Sequence, residues 1–168
     1  MKSWREKIIE YGTYLVVFLA PFLYLGTGRY LTYATSKTFF FYGGVEIIFA
    51  LFLYQLFVDT TYRFSKKDLL IFSPFLLYVF WLTIAGIFGA DPKFSFWSSL
   101  ERGTGLLTLY HVTALIFIIA SLIKKYGLSN YGYKLLGWFV GGASVLAVSV
   151  WLGNEGFNLP INVLLKSK

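Results

Sequence analysis

Four residues place charge or a titratable ring in apolar surroundings: Lys37, Glu46, Arg102 and His111. Glu46 is the one charged residue between Thr38 and Val58, and His111 is the one titratable imidazole between Gly103 and Ile123. An ionised carboxylate in hydrocarbon is costly unless it is paired, hydrated or protonated. A Glu and a His at matching depth can form a polar clamp, pass a proton or touch a substrate; Glu46 can also stay protonated or reach up to Lys37. Arg102 lies in the stretch SFWSSLERGTG, followed by Gly103 and Gly105. A guanidinium there can anchor a helix end in the headgroups, or its planar fork can hold phosphate oxygens. The two glycines let the backbone turn tightly and approach a ligand. The start of the next helix favours an anion at the same place. Lys37 can snorkel to the headgroups or join a phosphate contact.

These residues have to be positioned by elements suited to lipid. The chain has 168 residues, 57% hydrophobic and 14% charged. Soluble domains carry about 25% charged residues, so this chain lacks the polar surface that water would require. Five apolar stretches recur, predicting spans at about 8–27, 38–58, 69–89, 104–123 and 135–153. A crossing needs about 20 residues at 1.5 Å each. Strict alternation of apolar and polar residues is absent, and backbone groups in lipid must satisfy one another, so the spans should be helices. The expected fold is all-α, a polytopic transmembrane helical bundle in a single region, residues 1–168. Pro21 and Pro74 fall inside the first and third spans and can kink them.

Cysteine is absent, which excludes disulfides and thiolate chemistry. One His and eight scattered carboxylates point away from a metal site, and no cofactor is expected. The net charge of +7 has no basic block that would mark a nucleic-acid binder. Instead Lys and Arg fall between spans. Nine lie with the N-terminus: Lys2, Arg5, Lys7, Arg63, Lys66, Lys67, Lys124, Lys125 and Lys134. Six lie on the other side: Arg29, Lys37, Lys93, Arg102, Lys166 and Lys168. The richer side is normally cytoplasmic, so the N-terminus is expected inside, the C-terminus outside, and Arg102 at the outer face. Glu46 and His111 then sit about seven residues, roughly 10 Å, below that face. Gly137 and Gly141, four apart in the fifth span, offer either close helix packing or a groove.

Two stretches resemble the bacterial O-antigen ligase-like family: SFWSSLERGTGLLTLYH, and TSKTFFFYGGVEIIFALFL with its Lys before an aromatic cluster and its Glu within. They cover about 36 residues. The resemblance implies a metal-independent glycosyltransferase, a ligase or polymerase of the bacterial inner membrane. Such an enzyme moves a glycan from an undecaprenyl-diphosphate carrier to lipid A core, another glycan or a protein. On the matching positions, Arg102 and Lys37 would meet the lipid diphosphate, while Glu46 and His111 form an intramembrane polar pair. The family often has an acidic or amide residue two positions after the Arg; this chain has Thr104. Because family members have more spans and a large outer loop, the resemblance implies the N-terminal part of a longer protein. The catalytic residues are not assigned, and this section alone is expected to be inactive. Its partners would be membrane lipids, the carrier-linked glycan, and further spans or a partner membrane protein. The competing readings are a small transporter using Glu46 and His111, and a structural membrane subunit.

Overall fold

The computed structural model describes residues 3–19, 33–98 and 105–154. Six helices run through them: α1 (Trp4–Leu19), α2 (Tyr33–Val58), α3 (Lys66–Ile87), α4 (Pro92–Trp97), α5 (Leu106–Tyr126) and α6 (Tyr133–Asn154). A 3-10 turn at Thr60–Tyr62 joins α2 to α3, and a π-helical turn at Leu128–Gly132 joins α5 to α6. There is no strand among the described residues.

Local sequence explains where these helices begin. The backbone N–H of Ser3 donates to Glu6 Oε2 at 3.0 Å, and the Glu6 N–H donates to Ser3 Oγ at 3.3 Å. Ser65 and Asp68 repeat the arrangement at the head of α3, with bonds of 2.7 and 3.3 Å. Each is a reciprocal cap that satisfies otherwise orphaned donors. Both helices therefore start a few residues before the apolar run each carries. Asp91 caps α4, accepting from Phe94 N at 2.9 Å, with Pro92 in the first position. Gly127, at φ 85°, ends α5 where a side chain would be strained.

Pro74 sits inside α3 and cannot donate to the Leu70 carbonyl one turn back. The Ser73 hydroxyl donates to that carbonyl at 2.7 Å, so the freed acceptor is met within the helix itself.

α2, α3 and α5 are each long and apolar enough to cross a membrane, at 21, 22 and 21 residues. At 1.5 Å per residue each covers about 30 Å, the thickness of a hydrocarbon core. Only Gly86 of α3 is buried; Leu70, Ile71, Phe80, Trp81 and Ile87 are exposed. A helix that is apolar all round and uncovered suits lipid rather than water. These features are those of a helical membrane protein.

α1 packs on α2 and α6, α2 packs on α5, and α3 packs on α4 and α5. The core is Ile9, Tyr14 and Val16 of α1, Val45, Ile48 and Phe52 of α2, Tyr62 of the 3-10 turn, Ile118 and Leu122 of α5, and Tyr131 of the π-helical turn. α1 and α2 approach through glycines. A Cβ on Gly44 would stand 2.7 Å from Val16 Cγ2, and one on Gly12 would stand 3.1 Å from Ile48 Cγ1. At the α1–α6 contact the close position is Gly142, where a Cβ would stand 2.9 Å from the Phe18 carbonyl oxygen. At Gly141 it would be 3.9 Å from the Phe18 ring, and at Gly137 it would meet nothing within 4 Å.

Candidate functional site

α2 and α5 each present one helical face to the other, and the polar residues on those faces meet. Tyr42 and Glu46 are four apart on α2; Thr108 and His111 are three apart on α5. At those spacings side chains stack along one stripe. The His111 Nε2 atom lies 3.0 Å from Glu46 Oε1. The Tyr42 hydroxyl is hydrogen-bonded to the Thr108 hydroxyl. The Tyr42 ring stacks on the imidazole, with centroids 4.1 Å apart and planes 21° apart.

The hydrogen bonds constrain the protons. His111 Nδ1 lies 2.7 Å from the Leu107 carbonyl oxygen, which can only accept. Nδ1 therefore carries hydrogen. The contact between Nε2 and Glu46 then needs one further proton on the line between them. Either an imidazolium donates to a carboxylate, or a carboxylic acid donates to a neutral imidazole. In both forms the pair holds one proton more than carboxylate plus neutral ring. His111 is buried, at 9% side-chain exposure, whereas Glu46 is 68% exposed and faces outward from the α2–α5 seam. The second Glu46 oxygen has no partner among the described residues. The pair is thus braced on its His side and open on its Glu side.

A hollow of about 470 Å³ lies at the same end of the bundle, bounded by Tyr78, Leu82 and Gly86 of α3, Ser95 of α4, and Gly105 and Leu106. Gly105 closes against α4: a Cβ there would stand 2.3 Å from the Phe96 carbonyl oxygen. Its lack of a side chain serves helix contact rather than an approach to ligand. Tyr110 Oη bonds Thr83 Oγ1 at 3.0 Å and ties α5 to α3 beside this hollow. Arg102 lies outside the described residues, three positions before Gly105 in sequence, and the side chain of Lys37 is likewise outside them. Among the described residues no group of three or more His, Asp or Glu is placed to hold a metal.

Sequence reading missed a second polar cluster, at the opposite end of α5. Lys125 Nζ lies 2.5 Å from Glu6 Oε1 and 2.7 Å from Asp59 Oδ2, so it joins α1, α5 and the turn after α2. Lys124 bonds Asp68 and, at 2.9 Å, the Arg63 carbonyl. The Lys125 hydrogen bond, helped by Thr61, holds the Asp59 carboxyl down at about 2. At Glu6 burial pushes the carboxyl up, but the bonds from Lys125 and the Ser3 N–H outweigh it and the net shift is downward. The signal lay in the charges themselves: a Lys pair ends the fourth apolar run, and one carboxylate follows the second. Only the pairing of their helices was missing. This end gathers the N-terminus of α1, the α2–α3 turn and the end of α5, which carry Arg5, Lys7, Arg63, Lys66, Lys67, Lys124 and Lys125.

Compared with known proteins, the chain matches no family model, no curated protein and no solved structure.

Proposed function

We propose that this chain is the membrane section of a glycosyltransferase of the O-antigen ligase-like kind, which takes a glycan from a polyprenyl-diphosphate carrier at the outer face of a bacterial inner membrane. The observation that carries the reading is the meeting of the two stretches on which the resemblance rests. Their only intramembrane acid and only imidazole lie within hydrogen-bond distance, 3.0 Å apart, and Tyr42 of one stretch contacts Thr108 and His111 of the other. Residues so far apart in sequence have no local reason to meet. In this reading the α2–α5 seam is the scaffold that holds the mouth of α5 in register with the start of α2. Arg102 and Lys37 would then face the carrier together, Arg102 as the bidentate phosphate ligand and Lys37 as a point charge. The chain crosses five times with its N-terminus inside. That puts the base-rich end around Lys125 in the cytoplasm and the Glu46–His111 end towards the outer leaflet.

The test is glycan transfer from a polyprenyl-diphosphate donor in membranes holding the complete enzyme. Arg102→Ala should abolish transfer with membrane insertion intact, and Arg102→Lys should restore only part of it. Full transfer by Arg102→Ala would overturn the assignment. So would impermeant labelling of a cysteine at position 102 from the cytoplasmic side, since the carrier glycan is outside.

A further inference from the structure

An apolar groove of about 440 Å³ runs between α2 and α5, from Tyr110 in the first half of α5 towards the end of α2, lined by Phe49, Leu53, Leu56, Phe64 and Phe117 among others. The polar atoms beside it are already engaged. The Tyr110 hydroxyl bonds Thr83, and the Thr113 hydroxyl donates to the Leu109 carbonyl at 2.7 Å. An occupant needs no hydrogen-bonding groups along this length. The groove adjoins a second hollow, of about 350 Å³, which shares Leu53, Leu56 and Phe64 and adds Arg63. The apolar channel therefore ends at a guanidinium.

Arg63 is held there by the end of α2. Its Nε donates to the Leu56 carbonyl at 3.1 Å and one terminal nitrogen donates to the Phe57 carbonyl at 3.5 Å. Such carbonyls lack helical partners, so the side chain is tethered over the groove. Two carbonyls leave most of its donors and its full charge unmet, and among the described residues no carboxylate pairs with it. Lys124 and Lys125, nearby, are both neutralised by acids. Lys66 and Lys67, exposed in the first turn of α3, add to the unbalanced positive charge.

We infer that Arg63 and the α2–α5 groove form a binding site for an anionic phospholipid, one acyl chain lying along Leu53, Leu56 and Phe117 and the phosphate on the Arg63 fork. The charge pattern selects this occupant. A groove that is apolar along its length and cationic at one mouth complements a molecule with a hydrocarbon chain and an anionic head. A neutral lipid leaves the guanidinium unanswered, and basic clusters at a membrane boundary favour anionic headgroups. This inference stands apart from the glycan-carrier reading, because it uses neither Arg102 nor Lys37.

Native mass spectrometry of the full chain in mild detergent tests it, with dioleoyl phosphatidylglycerol and dioleoyl phosphatidylcholine added in equal amounts. The wild type should retain phosphatidylglycerol preferentially. Arg63→Gln should cut that preference about tenfold, the scale of one charge-assisted hydrogen bond, while Arg63→Lys keeps most of it. The groove is read without substitution: dihexanoyl phosphatidylglycerol should be held more weakly than the dioleoyl lipid. Circular dichroism verifies that the Arg63 variants are folded. Equal retention of the two headgroups, an unchanged preference in Arg63→Gln, or displacement by glycerol phosphate as effective as by intact lipid would each overturn the proposal.

Discussion

The contact between Glu46 and His111 yields a coupling energy that can be worked out in advance. Replacing either residue by Ala removes the 3.0 Å hydrogen bond. His111→Ala also removes the stack with Tyr42 and the bond to the Leu107 carbonyl. Those extra losses occur in the single and the double variant alike, so a double-mutant cycle cancels them and leaves the pair. Interhelical hydrogen bonds between side chains in membranes average about 0.6 kcal/mol and reach about 1.7. The buried imidazole pushes this pair towards the upper part of that range, and the open Glu46 side chain pulls it back. The expected coupling is about 1 kcal/mol, or roughly fivefold in the unfolding equilibrium. Glu46→Gln should retain part of it, because an amide N–H can donate to the neutral ring. Unfolding in lipid bicelles, followed by steric trapping for the four chains of the cycle, measures the quantity. A coupling within about 0.3 kcal/mol of zero would show that the two residues act independently, and the shared proton deduced above would fall with it.

The glycines of α2 give a contrast one residue apart. Gly44→Leu should destabilise the chain by about 1–3 kcal/mol through overpacking against Val16, whereas Gly43→Ala, which meets open space, should be neutral or stabilising by up to about 1 kcal/mol; the same bicelle measurement separates them. The Lys125 cluster predicts a pH dependence. Asp59 titrates below its ordinary 3.8, at about 2, so its contribution to stability is complete above 3.8 and is lost as pH falls towards 2. In Lys125→Met the Asp59 carboxyl should return towards 3.8, so the chain should be less stable above that pH and lose less between 3.8 and 2, as seen by far-ultraviolet circular dichroism during acid titration in detergent. An unchanged acid transition would mean that Lys125 does not hold Asp59 down.

Much of this molecule was legible in its sequence. Apolar length is a one-dimensional property, so hydropathy alone located α2, α3 and α5, the three of the five expected spans that are long and apolar enough to cross a membrane among the described residues. The capping pairs Ser3–Glu6 and Ser65–Asp68 were legible too, in the three-residue spacing, although hydrophobic runs drew the boundaries further in. Depth was also countable: Glu46 and His111 lie at similar distances from the start of their apolar runs, at Thr38 and Gly103, although α2 itself begins earlier, at Tyr33.

Contact between helices was a different matter. Nothing along the chain states that α2 lies on α5, that Lys125 reaches Asp59 and Glu6, or that Gly44 and Gly142 mark close approaches while Gly137 faces open space. A helix that is apolar on every side carries no stripe to say which face turns inward. Composition and spacing therefore determined that this chain is helical, suited to lipid, and in possession of one acid within its second apolar run and one imidazole within its fourth. Tertiary packing decided which faces met, and so turned two isolated polar residues into a hydrogen-bonded pair and left Arg63 without a counter-charge among the described residues. The cause is physical: segment length and side-chain transfer energies belong to the chain alone, whereas hydrogen bonds between helices exist only once the helices have chosen their neighbours.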